Sequence, residues 1–224
     1  MTYHLYITAR NYSSWSLRPW LLLRELDIPF VEEIQPLVSG SFRQPQWFSF
    51  SPVAHVPCLH VVDDSVPDQK PLVLWESLAI VEHLAESHPD KHVYPADRAA
   101  RAWARSAVCE MHAGFATIRQ EMGMNIGVRV QLLPEAFNPS LLSDLARIDA
   151  LWTEGLTRFG GPYLAGPQFT AVDAFYAPVV LRLQTYLGPK ERLGEKARGY
   201  AERMLEVPGI KEWLKKDSEG KTPK

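Results

Sequence analysis

Three serines crowd the stretch NYSSWSLRPWLLL: Ser13, Ser14 and Ser16, ahead of a run of leucines. A serine at a helix start can cap it by accepting a backbone N–H. It can also point its hydroxyl at a ligand, because the free N–H groups of the helix point the same way. Arg18, in the same first turn, either adds positive potential there or is simply solvated. A second pair, Glu76-Ser77, stands where an apolar run meets a helical pattern. Alone it reads as a serine cap beside an acid that suits the helix dipole. Pro57 opens a strand-like run and cannot donate to a ladder, so the Val56-Pro57 bond marks a special position. His55, just before it, reads by itself as a solvated loop histidine. Thr170 and Asp173 have capping-box spacing, which stabilises a helix by about 0.5–2 kcal/mol and implies no chemistry. Met111, His112, Phe115, Met122 and Met124 form a stripe of the kind usually found in a core. The chain has no H-E-x-x-H or C-x-x-C, so no metal is expected.

These residues need elements to position them, and composition allows a full set. The chain has 224 residues, 46% apolar and 22% charged, enough for two domains with cores. A net charge of −2 with no basic block argues against nucleic acid or an anionic membrane as partner. The longest apolar runs are too short to cross a bilayer, and the first residues lack the layout of a secretion signal. Cys58 and Cys109 are far apart, which suggests a reducing, cytoplasmic compartment. The polar end KKDSEGKTPK is expected to fray.

The first half alternates strand and helix. YHLYIT is a strand with Leu5 and Ile7 on one side; a helix follows, with Leu17, Trp20 and Leu21 on its buried face. FVEEIQPL, VPCLHVV and PLVLW read as three more strands, with DDSVPDQK a turn between the last two. ESLAIVEHLAESHP is a helix whose stripe is Ser77, Ile80, Val81 and Leu84. The second half shows no convincing strand. One long helix runs from about Arg98 through Met111 and beyond, and another opens at NPS and stops at Gly160-Gly161-Pro162. Further helices are read in QFTAVDAFYAPVVLRLQTYL, GPKERLGEKARGYAERMLEV and GIKEWLKK. The order predicts an α/β domain over residues 1–86 and an all-α domain over 98–224.

With these motifs in this order, the chain resembles the cytosolic glutathione transferases, in which a thioredoxin-like N-terminal domain precedes an all-helical one. Four segments carry the likeness: YSSWSLR, SPVAHVPCL, LWESLAIVEHL and FTAVDAFYAP. The first is similar to the serine-rich start of the zeta class, although that class has Ser-Ser-Cys-Ser where this chain has Ser-Ser-Trp-Ser, and His55 stands where a glutamine is usual. The resemblance implies a serine-type glutathione S-transferase that activates the thiol of glutathione for a small hydrophobic electrophile. It implies Ser13 as the thiol activator, level with the first zeta serine. Ser14 is the neighbouring cap or supporting donor, and Tyr12 and Tyr6 are fallbacks. It implies a cis Val56-Pro57 bond with the Val56 backbone pairing to the cysteinyl unit as an added strand. His55 would meet the glycyl carboxylate, and Glu76 and Ser77 the γ-glutamyl end. Arg18 is included with the glutathione-binding residues, and Met111 and Phe115 with the wall of the second-substrate site. A homodimer without metal is expected. Two other activities fit the resemblance: a glutathione-dependent cis–trans isomerase of the maleylacetoacetate type, and a non-catalytic glutathione-binding or scaffold protein.

Overall fold

A strand with every second side chain apolar must bury one face, and β1 (Thr2–Thr8) does so with Tyr3, Leu5 and Ile7. The chain then enters α1 (Ser14–Glu25), whose residues Leu17 and Trp20 to Leu23 are inaccessible to solvent. It returns as β2 (Val31–Gln35), parallel to β1. β3 (Cys58–Val62) runs antiparallel to β1, and β4 (Leu72–Trp75) antiparallel to β3. The sheet order is β2-β1-β3-β4. α2 (Ser77–Ser87) buries Ser77, Ile80, Val81 and Leu84, the stripe expected from its period. The structure is a computed structural model describing residues 1–38, 41, 43–66 and 68–219. Pro67, within the expected turn, and the end of the expected polar tail lie outside the described residues.

The second half is helical: α3 (Arg98–Ala113), α4 (Ala116–Glu121), α5 (Pro139–Phe159), α6 (Ala171–Thr185), α7 (Glu195–Leu205) and α8 (Pro208–Glu219). Asp97 and Asn138 cap α3 and α5 through their side-chain oxygens, at 2.8 Å and 2.9 Å from the backbone nitrogens of Ala100 and Leu141. α5 stops at Gly160, φ 81°, the left-handed position that glycine takes without a steric cost. α6 is buried at every residue but Gln184 and packs against both α1 and α3.

Three expectations are corrected. The long helix from Arg98 does not continue beyond Ala113, because Gly114 leaves the helical region and Phe115 takes φ 56° before α4 begins. The α6 segment ends at Thr185, and Tyr186–Leu187 pairs in parallel with Val130–Gln131, a short ladder in a half expected to have none. The helix expected from Gly188 starts only at Glu195, after Gly194 donates its backbone N–H to Asp149 Oδ1 at 2.7 Å.

Candidate active site

Two helix N-termini and one loop meet at a cleft of about 650 Å³ between the sheet domain and the helices. Tyr12 to Trp15 line it at the start of α1, and Glu76 and Ser77 at the start of α2. Val53 and the His55-Val56-Pro57 turn form a third side, and Arg119, Gly123, Met124 and Arg182 close it from the helical half. The Val56–Pro57 peptide bond is cis.

At the start of α1 it is Ser13, not Ser14, that caps the helix. Its Oγ accepts from the Ser16 backbone N–H at 3.3 Å and donates to Ser16 Oγ at 2.7 Å. Ser14 is already inside the helix, and its Oγ accepts from Arg182 Nη2 at 3.2 Å. Both serines are buried against the cleft. Tyr12, more than a third exposed, lines the same corner; Tyr6 lies away from it, stacked on Phe50 at 4.4 Å.

At the start of α2, Glu76 takes φ 71°, a left-handed conformation that a non-glycine residue adopts at a cost. The strained turn leaves Ser77 with 1% exposure and its Oγ without a hydrogen-bond partner among the described residues. A buried hydroxyl with no partner is costly unless a ligand completes it. Next to it are the free N–H groups of the first turn of α2, which suit a carboxylate. Glu76, exposed and on the cleft, suits an ammonium. This end can therefore hold the two charges of an amino-acid group. Glu76 Oε2 also lies 3.9 Å from His112 Nε2. Burial first, then Arg18, hold His112 below its usual pKa, against the pull of Glu76.

The other expected residues fall elsewhere. Arg18 is neither solvated nor on the cleft lining: it is wholly buried, 4.0 Å from the ring centroid of Trp15 and 4.8 Å from that of Phe175. Burial, with Arg182 and Arg119 nearby, pushes its pKa down to about 9. Met111 and Phe115 are buried in the core and are not among the lining residues, because the face of α3 that carries Met111 turns toward α6. The wall they were expected to form is made by Met124 and two guanidinium groups. Arg182 is 4% exposed and pushed down to about 10 by burial and by Arg119. Arg119 donates to the His112 carbonyl at 3.2 Å and stands over Trp15 at 5.3 Å. Sequence reasoning passed over both arginines, yet Arg182 carried a signal. A helix apolar on all sides is a buried helix, so an arginine within it is buried too.

Among the described residues no cluster of three or more His, Cys, Asp or Glu could hold a metal. Cys58 and Cys109 are free, and burial pushes the Cys58 thiol up to about 12.

Comparison with known proteins bears on the family and the fold. The family description "Glutathione S-transferase, N-terminal domain" matches residues 12–87, and "Glutathione S-transferase, C-terminal domain" matches residues 102–216. The chain is 34% identical over 188 residues to a probable maleylacetoacetate isomerase of Caenorhabditis elegans, covering 79% of this chain and 76% of that protein. It is 29% identical over 114 residues to the glutathione S-transferase GstB of Escherichia coli K12, covering 48% and 52%. Its fold is that of a glutathione transferase homolog from Burkholderia GL BGR1 solved with bound glutathione, at TM-score 0.68 and 24% identity over 98% of this chain and 100% of that one.

Proposed function

We propose a thiol-activating role from one premise: the chain belongs to the glutathione S-transferase family. It binds glutathione in the cleft, favours the thiolate, and lets that sulfur attack a small electrophile. The observation that carries this is the partnerless Ser77 hydroxyl at one helix start, in the same cleft as the serine pair at another. Glutathione has charges to match both. Ser77 and the α2 N-terminus take the γ-glutamyl carboxylate, and Glu76 takes its ammonium. The Val56 backbone meets the cysteinyl unit, and His55, exposed on the cleft, meets the glycyl carboxylate.

The thiol then lies over the start of α1. A free thiol titrates near 8.5, so little thiolate exists at neutral pH. Lowering that by about two units takes roughly 2.7 kcal/mol. One hydrogen bond to a charged group supplies about 1.5–3 kcal/mol, and a helix N-terminus about 0.3–2 kcal/mol. A serine hydroxyl at this place therefore suffices, which is the basis for the serine-type reading. Family likeness assigns it to Ser13, with Ser14 beside it.

A second reading, glutathione-dependent cis–trans isomerisation, is favoured by the Caenorhabditis elegans relative. It uses the same thiolate, which adds to a double bond and leaves again after rotation. On family likeness we also propose a homodimer in a cytoplasmic setting. Glutathione binding by calorimetry, followed by turnover of a chlorinated aromatic probe and a maleyl-type substrate side by side, tests the function. Conjugation of the first supports the transferase reading, and isomerisation of the second alone supports the other. Binding without turnover of either leaves a glutathione-binding scaffold, and no binding rejects all three.

A further inference from the structure

We propose that Arg182 of α6 is the positioning residue of the thiol site: it holds the Ser14 hydroxyl so that Ser14, in place of Ser13, donates to the sulfur of glutathione. This rests on the glutathione reading above, but replaces Ser13, the hydroxyl assigned there by family likeness, with Ser14 and names what aims it.

A serine hydroxyl has one proton to give and two lone pairs to receive. Ser13 has spent its proton on Ser16 Oγ at 2.7 Å, and one lone pair on the Ser16 N–H. To serve a thiolate it would have to give up its 2.7 Å bond to Ser16 Oγ, whereas the cap, which it only accepts, would stay. Ser14 has spent only a lone pair, on Arg182 Nη2 at 3.2 Å, and no acceptor for its proton is found among the described residues. A guanidinium cannot accept a hydrogen bond. The Ser14 O–H therefore turns away from Arg182, and Ser14 borders the cleft. A donor whose oxygen is itself polarised by a cation is a stronger donor.

Arg182 is built to stay in place. Its Nε donates to the Met122 carbonyl at 2.7 Å, and the residue is 4% exposed. Its Nη1 has no partner among the described residues, and Arg182 lines the cleft. Around this corner the ionisable groups are Arg18, Arg119 and Arg182, with Asp144 of α5 beside Arg119, Tyr12, Glu76 and His55 on the cleft, and His112 near Glu76. Among the described residues none of the three arginines forms an ion pair. Asp144 offsets part of the charge of Arg119 and Glu76 part of that of Arg18, and a thiolate in the cleft would add negative charge beside Arg182. The step is simple: the thiol S–H gives its proton to water, Ser14 keeps its own proton and hydrogen-bonds to the sulfur anion, and no bond to carbon changes.

The test is the titration of glutathione bound to the protein, followed by thiolate ultraviolet absorbance, which reads ionisation without turnover. Arg182→Gln and Ser14→Ala should each raise the bound thiol pKa by about one unit. The double variant should shift it by clearly less than the two singles together, since both act through one hydroxyl. Arg182→Lys, which keeps the charge but not the two-point hold, should fall between wild type and Arg182→Gln. Ser13→Ala should shift the titration less than Ser14→Ala does. Arg182→Gln that folds, binds glutathione and titrates like wild type overturns the proposal, as does a larger shift in Ser13→Ala than in Ser14→Ala. Should Arg182→Gln not fold, the two serine variants and Arg182→Lys decide the matter by the same criteria. Wild-type protein that binds no glutathione by calorimetry removes the underlying reading, and the proposal with it.

Discussion

A guanidinium buried without a carboxylate needs another source of negative potential, and Arg18 finds it in aromatic faces. Trp15 and Phe175 flank it, while its Nε and Nη1 lack partners among the described residues. Trp15 serves Arg119 as well. That gives a physical role to the tryptophan standing where the zeta pattern has cysteine: an indole offers a π face to two cations, and a thiol does not. Trp15→Cys should therefore destabilise the fold by about 1–3 kcal/mol, since each such contact is worth about 0.5–2 kcal/mol. Urea unfolding would check it, and an unchanged midpoint would show that the arginines are compensated otherwise. At the other end of the cleft, Ser77→Ala should weaken glutathione binding by about 1–3 kcal/mol through a lost charge-assisted bond. Calorimetry with unchanged affinity and an intact fold would refute its role.

Among the elements, α6 depends most on one side chain. Asp173 is fully buried and accepts from the Leu164 and Thr170 N–H groups and the Tyr200 hydroxyl, each at 3.0 Å, and from the Thr170 hydroxyl at 3.3 Å. Burial nevertheless pushes its carboxyl up to about 6, against those donors. A raised pKa means that the folded state holds the proton more tightly than the unfolded one. The stabilisation this brings is full below the ordinary carboxylate pKa of about 3.9 and is lost as pH rises through the folded value. Asp173→Asn, which cannot titrate, should therefore cost more stability at pH 4 than at pH 7. The difference should be on the order of 2 kcal/mol. Unfolding curves at the two pH values test the sign, and an equal or reversed difference would place the carboxylate in its charged form throughout. The break between α3 and α4 depends on a missing side chain: a Cβ on Gly114 would lie 2.7 Å from the Glu110 carbonyl oxygen. Because that neighbour is backbone, Gly114→Ala should destabilise by about 1–3 kcal/mol, measurable by thermal unfolding.

Across the whole molecule, the two halves share one hydrophobic core, and α8 closes it from behind. Trp213 of α8 packs 4.9 Å from Trp20 of α1 and donates its ring N–H to the Arg10 carbonyl at 3.1 Å. Trp213→Ala should cost about 3–5 kcal/mol and weaken glutathione binding as well, because α1 carries the serine pair and loses its backing. Parallel urea unfolding and calorimetry would show both losses together; loss of stability alone would uncouple α8 from the site. The sequence by itself determined what depends on neighbours in the chain. Leu5 and Ile7 alternate, Ile80, Val81 and Leu84 recur at helical spacing, and Thr170 and Asp173 stand three apart at a helix start. Each is a short-range pattern, so the α/β half, the helical half and three of the four sides of the cleft were legible. The side closed by the helical half was not. Met111 and Phe115 turn into the core, and Arg119 and Arg182 arrive in their place from α4 and α6. The proton of Ser13 is spent within its own turn, whereas that of Ser14 is aimed by a residue 168 positions away. Only packing brings such groups within hydrogen-bond reach, because which face of a helix meets which neighbour is set by burial over the whole chain.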